Sequence, residues 1–258
     1  MSSLEGRRVL VMGGGQQRYG EEDPPEGIGR AISVLSAREG ARVAVADRDA
    51  DAAEETAAAV RRVGGEAWPL VGDASDEEAV ARIVADAELA MGGIDGLVLN
   101  VGIGAGDGLA GTTVRAWDIV FRVNVRSHFV GCREALPRMG DGGAIVLISS
   151  IAGISASGTV MPAYAASKSA LSGLARHVAK EGAPRGVRAN VVVPGLIDTP
   201  LGRSASRVDP GRDATPIPLG RQGTAWEIAE AVVFLLSQRA SYVTGQELVV
   251  DGGLTGVA

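Results

Sequence analysis

Cysteine and histidine are almost absent from this chain of 258 residues. Cys132 is the one cysteine, so an intramolecular disulfide and a cluster of thiolate metal ligands are both excluded. The two histidines, His128 and His177, do not stand at a spacing typical of metal ligands. We therefore expect no metal site, and we expect each histidine to be a packing or surface residue.

Positive charge and long apolar runs are lacking as well. The net charge is -6, whereas a protein that binds mainly nucleic acid presents a basic face to the phosphates. No apolar run approaches the ~20 residues that a membrane-spanning helix needs, and the N-terminal residues form no apolar signal region. The sequence therefore predicts a cytoplasmic protein that has neither nucleic acid nor a membrane as its partner.

The chain has instead a regular alternation of short apolar runs and longer amphipathic stretches. The runs predict strands at 8–12, 42–46, 66–71, 96–99, 144–148, 188–193 and 247–250. The stretches predict helices at 29–39, 50–62, 76–91, about 114–136, 164–181 and 225–237. Ser75 is expected to cap the third of these helices.

This alternation predicts the fold. Near-continuous apolar strands separated by helices are typical of a parallel sheet that is covered on both faces. No Pro-rich or Ser-rich linker and no internal repeat divides the sequence. We therefore predict an α/β fold, a single Rossmann-type doubly wound domain over residues 1–258 with a parallel sheet of about seven strands.

Glycines connect the first predicted strand to the first predicted helix. Gly13 ends the strand, and Gly27, Ile28 and Gly29 open the helix. A doubly wound sheet binds a dinucleotide at this point, because glycines let the backbone approach the pyrophosphate and the helix N-terminus offers free N–H groups. A glycine-rich turn alone is equally compatible with a tight connection that binds nothing.

An acidic residue, Asp47, stands at the end of the second predicted strand. A carboxylate there can accept both ribose hydroxyls of NAD and repel the 2′-phosphate of NADP. Arg48 could pair with that phosphate instead, but Asp49 and Glu26 make the surroundings more acidic than basic. We therefore expect NAD as the cofactor, with NADP as the less favoured alternative. The other interpretation of Asp47 is a turn or helix cap.

Tyr164 and Lys168 are four residues apart, so a helix places both on one face. A phenol titrates near pH ~10, and a nearby ammonium favours the phenolate and lowers that pKa. Such a tyrosine can exchange a proton with an alcohol or an alkoxide. By itself the pair is also typical of a solvated helix face, but the small residues around it favour close approach of a cofactor or a neighbouring helix.

Ser149 and Ser150 follow the fifth predicted strand directly. The carboxyl ends of the strands are where open α/β sheets bind ligands, so a serine hydroxyl there could bind a substrate oxygen. A helix cap or a turn is the alternative role for a serine at this position.

Taken together, these motifs resemble the short-chain dehydrogenase/reductase family, and the resemblance covers essentially the whole chain. It rests on the glycine turn, the acid after the second strand, Asn100-Val101-Gly102, Asn124, Ser150, Tyr164-x-x-x-Lys168, Pro194-Gly195-Leu196-Ile197-Asp198-Thr199-Pro200, Val243-Thr244-Gly245-Gln246 and Val250-Asp251-Gly252-Gly253. The order and spacing of the motifs are more specific than any one of them.

The resemblance implies hydride transfer between a nicotinamide cofactor and a secondary alcohol or ketone. Tyr164 would be the general acid/base, and Lys168 would lower its pKa and hold the nicotinamide ribose. Ser150 would polarise the substrate oxygen, and Asn124 would hold a water in a proton relay that reaches Lys168. A homotetramer with the C-terminal segment at an interface is also implied.

The resemblance implies a cofactor site as well. Asp73 and Ala74 would contact the adenine, the segment 100–102 would line the adenosine side, and Ile197 and Thr199 would meet the carboxamide. The full set of implied cofactor-binding residues is Gly13, Gly27, Ile28, Gly29, Asp47, Arg48, Asp73, Ala74, Asn100, Gly102, Tyr164, Lys168, Pro194, Ile197 and Thr199.

The sequence departs from the family pattern at three places. Met12 replaces a threonine, and Leu99 and Val101 replace an asparagine and an alanine. The segment 15–26 lengthens the glycine turn. It is interpreted either as a tolerated surface insertion, since loop length costs little, or as a flap over the cofactor, or as the sign of a weakened cofactor site. The candidate contacts of a flap are Gln16, Gln17, Arg18 and Tyr19.

Two other functions stay open. An NADPH-dependent reductase of 3-oxoacyl thioesters would need cationic contacts such as Arg48, and a nucleotide-binding protein without turnover would be consistent with the insertion and Met12. The substrate pocket is expected at 104–111, 151–162 and 201–223, the last a candidate lid. The arginines of that lid could hold an anionic group or be solvated; they are Arg203, Arg207 and Arg212.

Overall fold

A computed structural model describes residues 2–155, 159–208 and 210–257. The strands are β1 Arg8–Met12, β2 Arg42–Asp47, β3 Ala67–Val71, β4 Ile94–Leu99, β5 Met139–Ile148, β6 Arg188–Pro194, β7 Ile197–Asp198, β8 Gly223–Thr224 and β9 Glu247–Val250. The α-helices are α1 Ile28–Arg38, α2 Ala50–Arg62, α3 Glu77–Met91, α4 Gly108–Gly111, α5 Val114–Phe121, α6 Ser127–Ala135, α7 Pro162–Gly182, α8 Pro200–Val208 and α9 Ala225–Leu236. Short 3-10 turns lie at Leu136–Arg138, Ile151–Gly153, Ala183–Arg185, Pro210–Arg212 and Gln238–Ala240.

The main sheet has seven parallel strands in the order β3-β2-β1-β4-β5-β6-β9. The chain winds outward from β1 in one direction and from β4 in the other. A cleft therefore opens between the connections that leave these two central strands, at the carboxyl edge of the sheet. The predicted parallel seven-stranded sheet with helices on both faces is confirmed.

Alternate side chains of the central strands point to opposite faces of the sheet, as the pleat requires. In β1, Val9 and Val11 belong to a core with α1, α2 and α9, whereas Leu10 and Met12 belong to a core with α3, α6 and α7. All four are essentially inaccessible to solvent. The near-continuous apolar runs in the sequence follow from this burial on both faces.

The predicted helix over 114–136 is interrupted. It consists of α5, a π-helical segment at Arg122–Arg126, and α6. A π-helical turn inserts an extra residue into the helix, and such turns are frequent at functional sites. Here the turn carries Asn124, which is fully buried.

Two further details differ from the prediction. The cap of α3 is Asp76, whose carboxylate accepts the N–H of Glu78 at 3.1 Å, and not Ser75. The candidate lid, predicted as a loop, contains most of α8 and the first residue of the short strand β8. Residue 209 of the lid and residues 156–158 of the expected substrate pocket lie outside the described residues.

No helix within residues 2–155, 159–208 and 210–257 has the length and apolar character needed to cross a bilayer.

Two glycine-to-alanine substitutions test how closely the sheet and α1 approach each other. A Cβ at Gly29 would overlap the carbonyl oxygen of Gly13 and lie 2.8 Å from Nδ2 of Asn100. We expect Gly29→Ala to lower the free energy of unfolding by about 2 kcal/mol, as overpacking does. Urea-induced unfolding followed by circular dichroism measures the change.

Gly173→Ala is the matched control. Gly173 lies on the exposed face of α7, and a Cβ there would meet nothing within 4 Å. Alanine should therefore stabilise the protein by roughly 0.5–1 kcal/mol, because it favours the helix and restricts the unfolded chain. Equal effects of the two substitutions would contradict the close contact at Gly29.

Candidate active site

A cleft of about 410 Å³ opens at the carboxyl edge of the sheet, beside the ends of β1, β2 and β4. Its lining includes most of the residues expected to bind a cofactor, namely Gly13, Gly27, Ile28, Gly29, Asp47, Arg48, Asp73, Ala74, Asn100, Gly102 and Thr199. Tyr164, Lys168, Pro194 and Ile197 are not among the residues that line it. Residues as far apart in the sequence as Gly13 and Thr199 thus line the same cleft.

The glycine turn brings α1 unusually close to the end of β1. Gly13 has a φ of 75°, in the left-handed region that favours glycine. Its carbonyl oxygen accepts Nδ2 of Asn100 at 2.8 Å, and Gly29 has no side chain to block this approach. The first turn of α1 has no side-chain cap and no acidic residue. Its free N–H groups therefore suit an anion such as a pyrophosphate.

The inserted segment 15–26 forms one wall of this cleft. Gln16, Gln17 and Tyr19 line it. Oε1 of Gln16 accepts the N–H of Gly27 at 3.0 Å, so the two ends of the insertion are joined. Arg18 instead turns to α2, where it forms an ion pair with Glu55 at 3.2 Å. The insertion is therefore part of the cleft and not merely a loop in solvent.

Asp47 lies at the end of β2 and faces the same cleft as Arg48. Its two carboxylate oxygens accept the backbone N–H groups of Gly15 at 3.0 Å and Asp49 at 3.2 Å, which fix the side chain. The helix cap of α2 is Asp49, whose carboxylate accepts the N–H groups of Asp51 and Ala52. Asp47 therefore retains lone pairs for another donor.

Lys168 lies on α7 with only 3% of its surface exposed. Its Nζ donates to the carbonyl oxygen of Ile148, at the end of β5, at 2.9 Å. Burial lowers the pKa of Lys168 to about 8, since the charged form loses its hydration. Gly102 lies beside the ammonium group, and an added Cβ there would be 3.1 Å from Nζ.

Tyr164 lies one helical turn before Lys168, with the centre of its ring 5.8 Å from Nζ. Burial raises the pKa of Tyr164, although a hydrogen bond to Ser150 and the charge of Arg212 act in the opposite direction. The sequence predicted that Lys168 lowers this pKa, but the net change is an increase. Desolvation of the phenolate outweighs the neighbouring charges.

The two serines after β5 have different partners. Oγ of Ser150 accepts the N–H of Ala152 at 3.2 Å, so it caps a 3-10 turn, and its hydroxyl also acts to lower the pKa of Tyr164. Oγ of Ser149 donates to the backbone carbonyl of Lys168 at 2.8 Å. Ser149 thus joins β5 to α7, while Ser150 reaches the phenol.

Asn124 connects the loop after β4 to α7. Its Oδ1 accepts the N–H of Ile103, and its Nδ2 donates to the carbonyl of Ile103 and to Oγ of Ser167, each at 2.9 Å. Both amide hydrogens are therefore engaged. A water could bind to this side chain only through the remaining lone pair of Oδ1.

The residues after β6 lie near the start of α8. Oγ1 of Thr199 accepts the N–H of Gly202 at 3.0 Å, and Ile197 is buried in β7, which pairs with β8.

The three arginines of the candidate lid have carboxylate partners. Arg203 contacts Asp198 and Glu21, Arg207 contacts Glu21, and Arg212 contacts Asp213.

His128 is a packing residue, one of the two roles that the sequence predicted for it. His128 is fully buried on α6, and its ring contacts the carbonyl of Leu99 at 3.1 Å and Oγ of Ser127 at 3.0 Å. Burial and the nearby charge of Lys168 lower the pKa of His128 to about 3. The ring is therefore neutral near pH 7 and adds no second positive charge near Lys168.

Comparison with known proteins identifies the family. A family model described as enoyl-(acyl carrier protein) reductase matches residues 24–255. The crystal structure of a short-chain dehydrogenase/reductase from Burkholderia xenovorans is similar to this structure, with a TM-score of 0.91 at 38% identity, and the match covers 100% of both chains. This chain belongs to the short-chain dehydrogenase/reductase family. The predicted resemblance is confirmed.

Two curated relatives come from Xanthobacter autotrophicus. A protein named 2-(S)-hydroxypropyl-CoM dehydrogenase 3 is 36% identical, and the match covers 98% of this chain and 98% of the relative. A protein named inactive 2-(S)-hydroxypropyl-CoM dehydrogenase 2 is 40% identical over 234 residues, which are 88% of this chain and 100% of the relative. This short-chain dehydrogenase/reductase is a nicotinamide-dependent oxidoreductase of alcohol and carbonyl groups, as the sequence predicted.

The buried His128 predicts how the stability of this short-chain dehydrogenase/reductase depends on pH. Its folded pKa, about 3, lies below the ordinary value of 6.5. Between these two pKa values only the unfolded chain takes up the proton. The contribution of neutral His128 to the free energy of unfolding is therefore complete above pH 6.5 and is lost as the pH falls toward 3. We expect the free energy of unfolding to decrease by about 1.4 kcal/mol per pH unit below pH 6 from this residue.

Urea-induced unfolding at pH 7 and pH 5 measures this dependence. His128→Gln should reduce the difference between the two pH values. His177→Gln is the matched control, because His177 is largely exposed on α7 and contacts only Glu181. An unchanged pH dependence in His128→Gln would show that the buried ring is not the titrating group.

Proposed function

We propose that this protein is an NAD-dependent enzyme that interconverts a secondary alcohol and a ketone, with Tyr164 as the general acid/base. The observation that carries the proposal is the phenol of Tyr164, placed one turn from the buried ammonium of Lys168, with the centre of its ring 5.8 Å from Nζ. This group lies at the carboxyl edge of the sheet, next to the cleft that suits a dinucleotide.

The residues of the cleft fit a nicotinamide dinucleotide. The approach of Gly13 to Gly29 leaves a backbone cradle that a Cβ would fill, and the uncapped N-terminus of α1 suits the pyrophosphate. The fixed carboxylate of Asp47 suits the ribose hydroxyls. When bound, the nicotinamide supplies the hydride acceptor or donor.

Side chains of the protein would transfer the proton. Because burial keeps the pKa of Tyr164 high, the phenol holds its proton near pH 7 and can donate it to a developing alkoxide. In the opposite direction the phenolate accepts the proton of the alcohol, and the hydroxyl of Ser150 and the ammonium of Lys168 would stabilise that phenolate. Lys168 would also hold the ribose of the nicotinamide.

Asn124 would support this arrangement. Its hydrogen bonds to Ile103 and Ser167 hold the loop that bears Gly102 against α7, and Gly102 lies beside Lys168. A water on the free lone pair of Oδ1 would start the proposed proton relay. Ser150 would hydrogen-bond the substrate oxygen while it remains the partner of Tyr164.

We propose NAD as the preferred cofactor. Asp47 faces the cleft with a carboxylate that would repel a 2′-phosphate, and Tyr19 lies near both Asp47 and Arg48. Arg48 also lines the cleft and is the group that would favour NADPH, as the alternative 3-oxoacyl thioester reductase would require. The fixed position of Asp47 favours NAD.

A nucleotide-binding protein without turnover is the second candidate, because one relative is named inactive. This chain retains Tyr164 beside Lys168 on α7, and Asn124 bonds Ser167 on the same helix. A protein that only binds a nucleotide has no need of a phenol beside a buried ammonium, so we favour the enzyme.

We also propose a single domain and a homotetramer. Exposed apolar side chains on α5 and α6 supply one interface; they include Val114, Trp117 and Phe129. Leu248 and Val249, partly exposed on the edge strand β9, supply a second near the C-terminus. The cytoplasmic location stays a prediction.

Tyr164→Phe tests the proposed chemistry. Removal of the phenolic oxygen should lower kcat at least about a hundredfold, in the range of a lost general acid/base, while NADH still binds. NADH absorbance with a panel of secondary alcohols and ketones measures the rate. Tyr242→Phe is the matched control, because Tyr242 is fully exposed and does not line the cleft. The activity of this variant should be that of the unmodified protein.

Asp47→Asn tests the cofactor preference. Loss of the charge should reduce the preference for NADH over NADPH about tenfold, because the repulsion of the 2′-phosphate disappears. Fluorescence titration gives both dissociation constants. Asp49→Asn removes an equal charge two residues away, outside the cleft lining, and should leave the ratio nearly unchanged. An equal ratio in all three proteins would contradict the assignment of Asp47.

A further inference from the structure

The inserted segment 15–26 and the start of α8 form two walls of one cleft. Gln17 and Tyr19 line it from the insertion, and Thr199, Pro200 and Leu201 line it from the start of α8. The two walls are remote in sequence, so contacts between them determine how far apart they lie. These contacts are made by charged side chains.

Glu21 joins the two walls. Its carboxylate oxygens contact Arg203 at 3.2 Å and Arg207 at 3.0 Å, and the side chain of Glu21 is only 20% exposed. A second guanidinium nitrogen of Arg207 donates to the backbone carbonyl of Tyr19 at 3.1 Å. We call Glu21, Arg203 and Arg207 the Glu21 clamp.

Both sides of the clamp are anchored. On the side of α8, Arg203 also forms a close pair of hydrogen bonds with Asp198, at 2.7 and 3.0 Å. On the side of the insertion, Gln16 closes the base of the loop through Gly27. The clamp therefore connects two positioned elements and not two free loops.

The tip of the insertion has a strained backbone. Tyr19 has a φ of 49° and is the only non-glycine residue of the described chain with a positive φ, and Gly20 follows with a φ of 83°. Such a conformation costs on the order of 1 kcal/mol and persists where surrounding contacts enforce it. The hydrogen bond from Arg207 to the Tyr19 carbonyl is such a contact.

We propose that Glu21 is a positioning residue of the cofactor site: the Glu21 clamp holds the Tyr19 tip against α8 across the cleft and slows the release of the nicotinamide cofactor. The inference rests on the proposed function only for the identity of the bound molecule. The clamp itself is a property of the free protein.

The magnitude of the effect follows from the geometry. A single exposed ion pair contributes little, but here two guanidinium groups share one carboxylate that is mostly shielded from solvent. Neutralising Glu21 leaves two like charges, Arg203 and Arg207, next to each other. We therefore expect cofactor release to become about fivefold faster in Glu21→Gln.

The first experiment measures the free protein. Hydrogen exchange of backbone amides is compared in the unmodified protein, in Glu21→Gln and in Glu55→Gln. Faster exchange in segments 17–22 and 200–208 of Glu21→Gln alone supports the clamp. Glu55→Gln is the matched control, because it removes the ion pair of Arg18 from the same loop without touching α8. Unchanged exchange in Glu21→Gln, or equal changes in both variants, would overturn the proposal.

The second experiment measures NADH dissociation by stopped-flow fluorescence, without substrate. Glu21→Gln and Arg207→Gln should each release NADH faster than Glu55→Gln, and Arg207→Lys should partly restore the slow rate. The difference in NADH release rate between Glu21→Gln and the unmodified protein should become smaller in 1 M salt, where charges are screened within about 3 Å. If Glu21→Gln and Arg207→Gln release NADH at rates within twofold of the unmodified protein, the proposed effect on cofactor release is overturned. If the unmodified protein does not bind NADH, the proposed function fails, while hydrogen exchange still decides the clamp.

Discussion

The buried ammonium group of Lys168 is the constraint on which the rest of the site depends. A buried charge is stable only with a fixed partner. For Lys168 this partner is the backbone carbonyl of Ile148 at the end of β5. That contact places α7 against the sheet and thereby sets the position of Tyr164. It also explains Gly102, since any side chain there would crowd the ammonium. Neutral His128 fits the same constraint, because a second cation nearby would be repelled.

Hydrogen bonds then connect this buried charge to the cofactor cleft. Asn124 is buried in the π-helical turn, where it can reach both Ile103 and Ser167. Ile103 and Gly102 line the cleft, and Ser167 precedes Lys168 on α7. The phenol and the ammonium thus lie beside the proposed cofactor cleft at the carboxyl edge of the sheet.

The sequence predicted the parts of the structure that depend on local patterns. Strands such as β1 match because they are buried on both faces, and the shared helix face of Tyr164 and Lys168 follows from their spacing. The π-helical turn was not predicted, because apolar periodicity continues through it. The raised pKa of Tyr164 depends on burial, and the contacts of Glu21 depend on arginines at least 182 residues away. Neither property leaves a signal in a local stretch of sequence.

The most direct test of the central claim follows a deuterium atom. The protein is incubated with NAD⁺ and a panel of secondary alcohols that carry deuterium on the carbinol carbon, and mass spectrometry then analyses the NADH and the ketone. The account predicts NADH that carries one deuterium from at least one alcohol, together with the corresponding ketone. Saturable binding of NAD⁺ without deuterium transfer from any alcohol of the panel would contradict it.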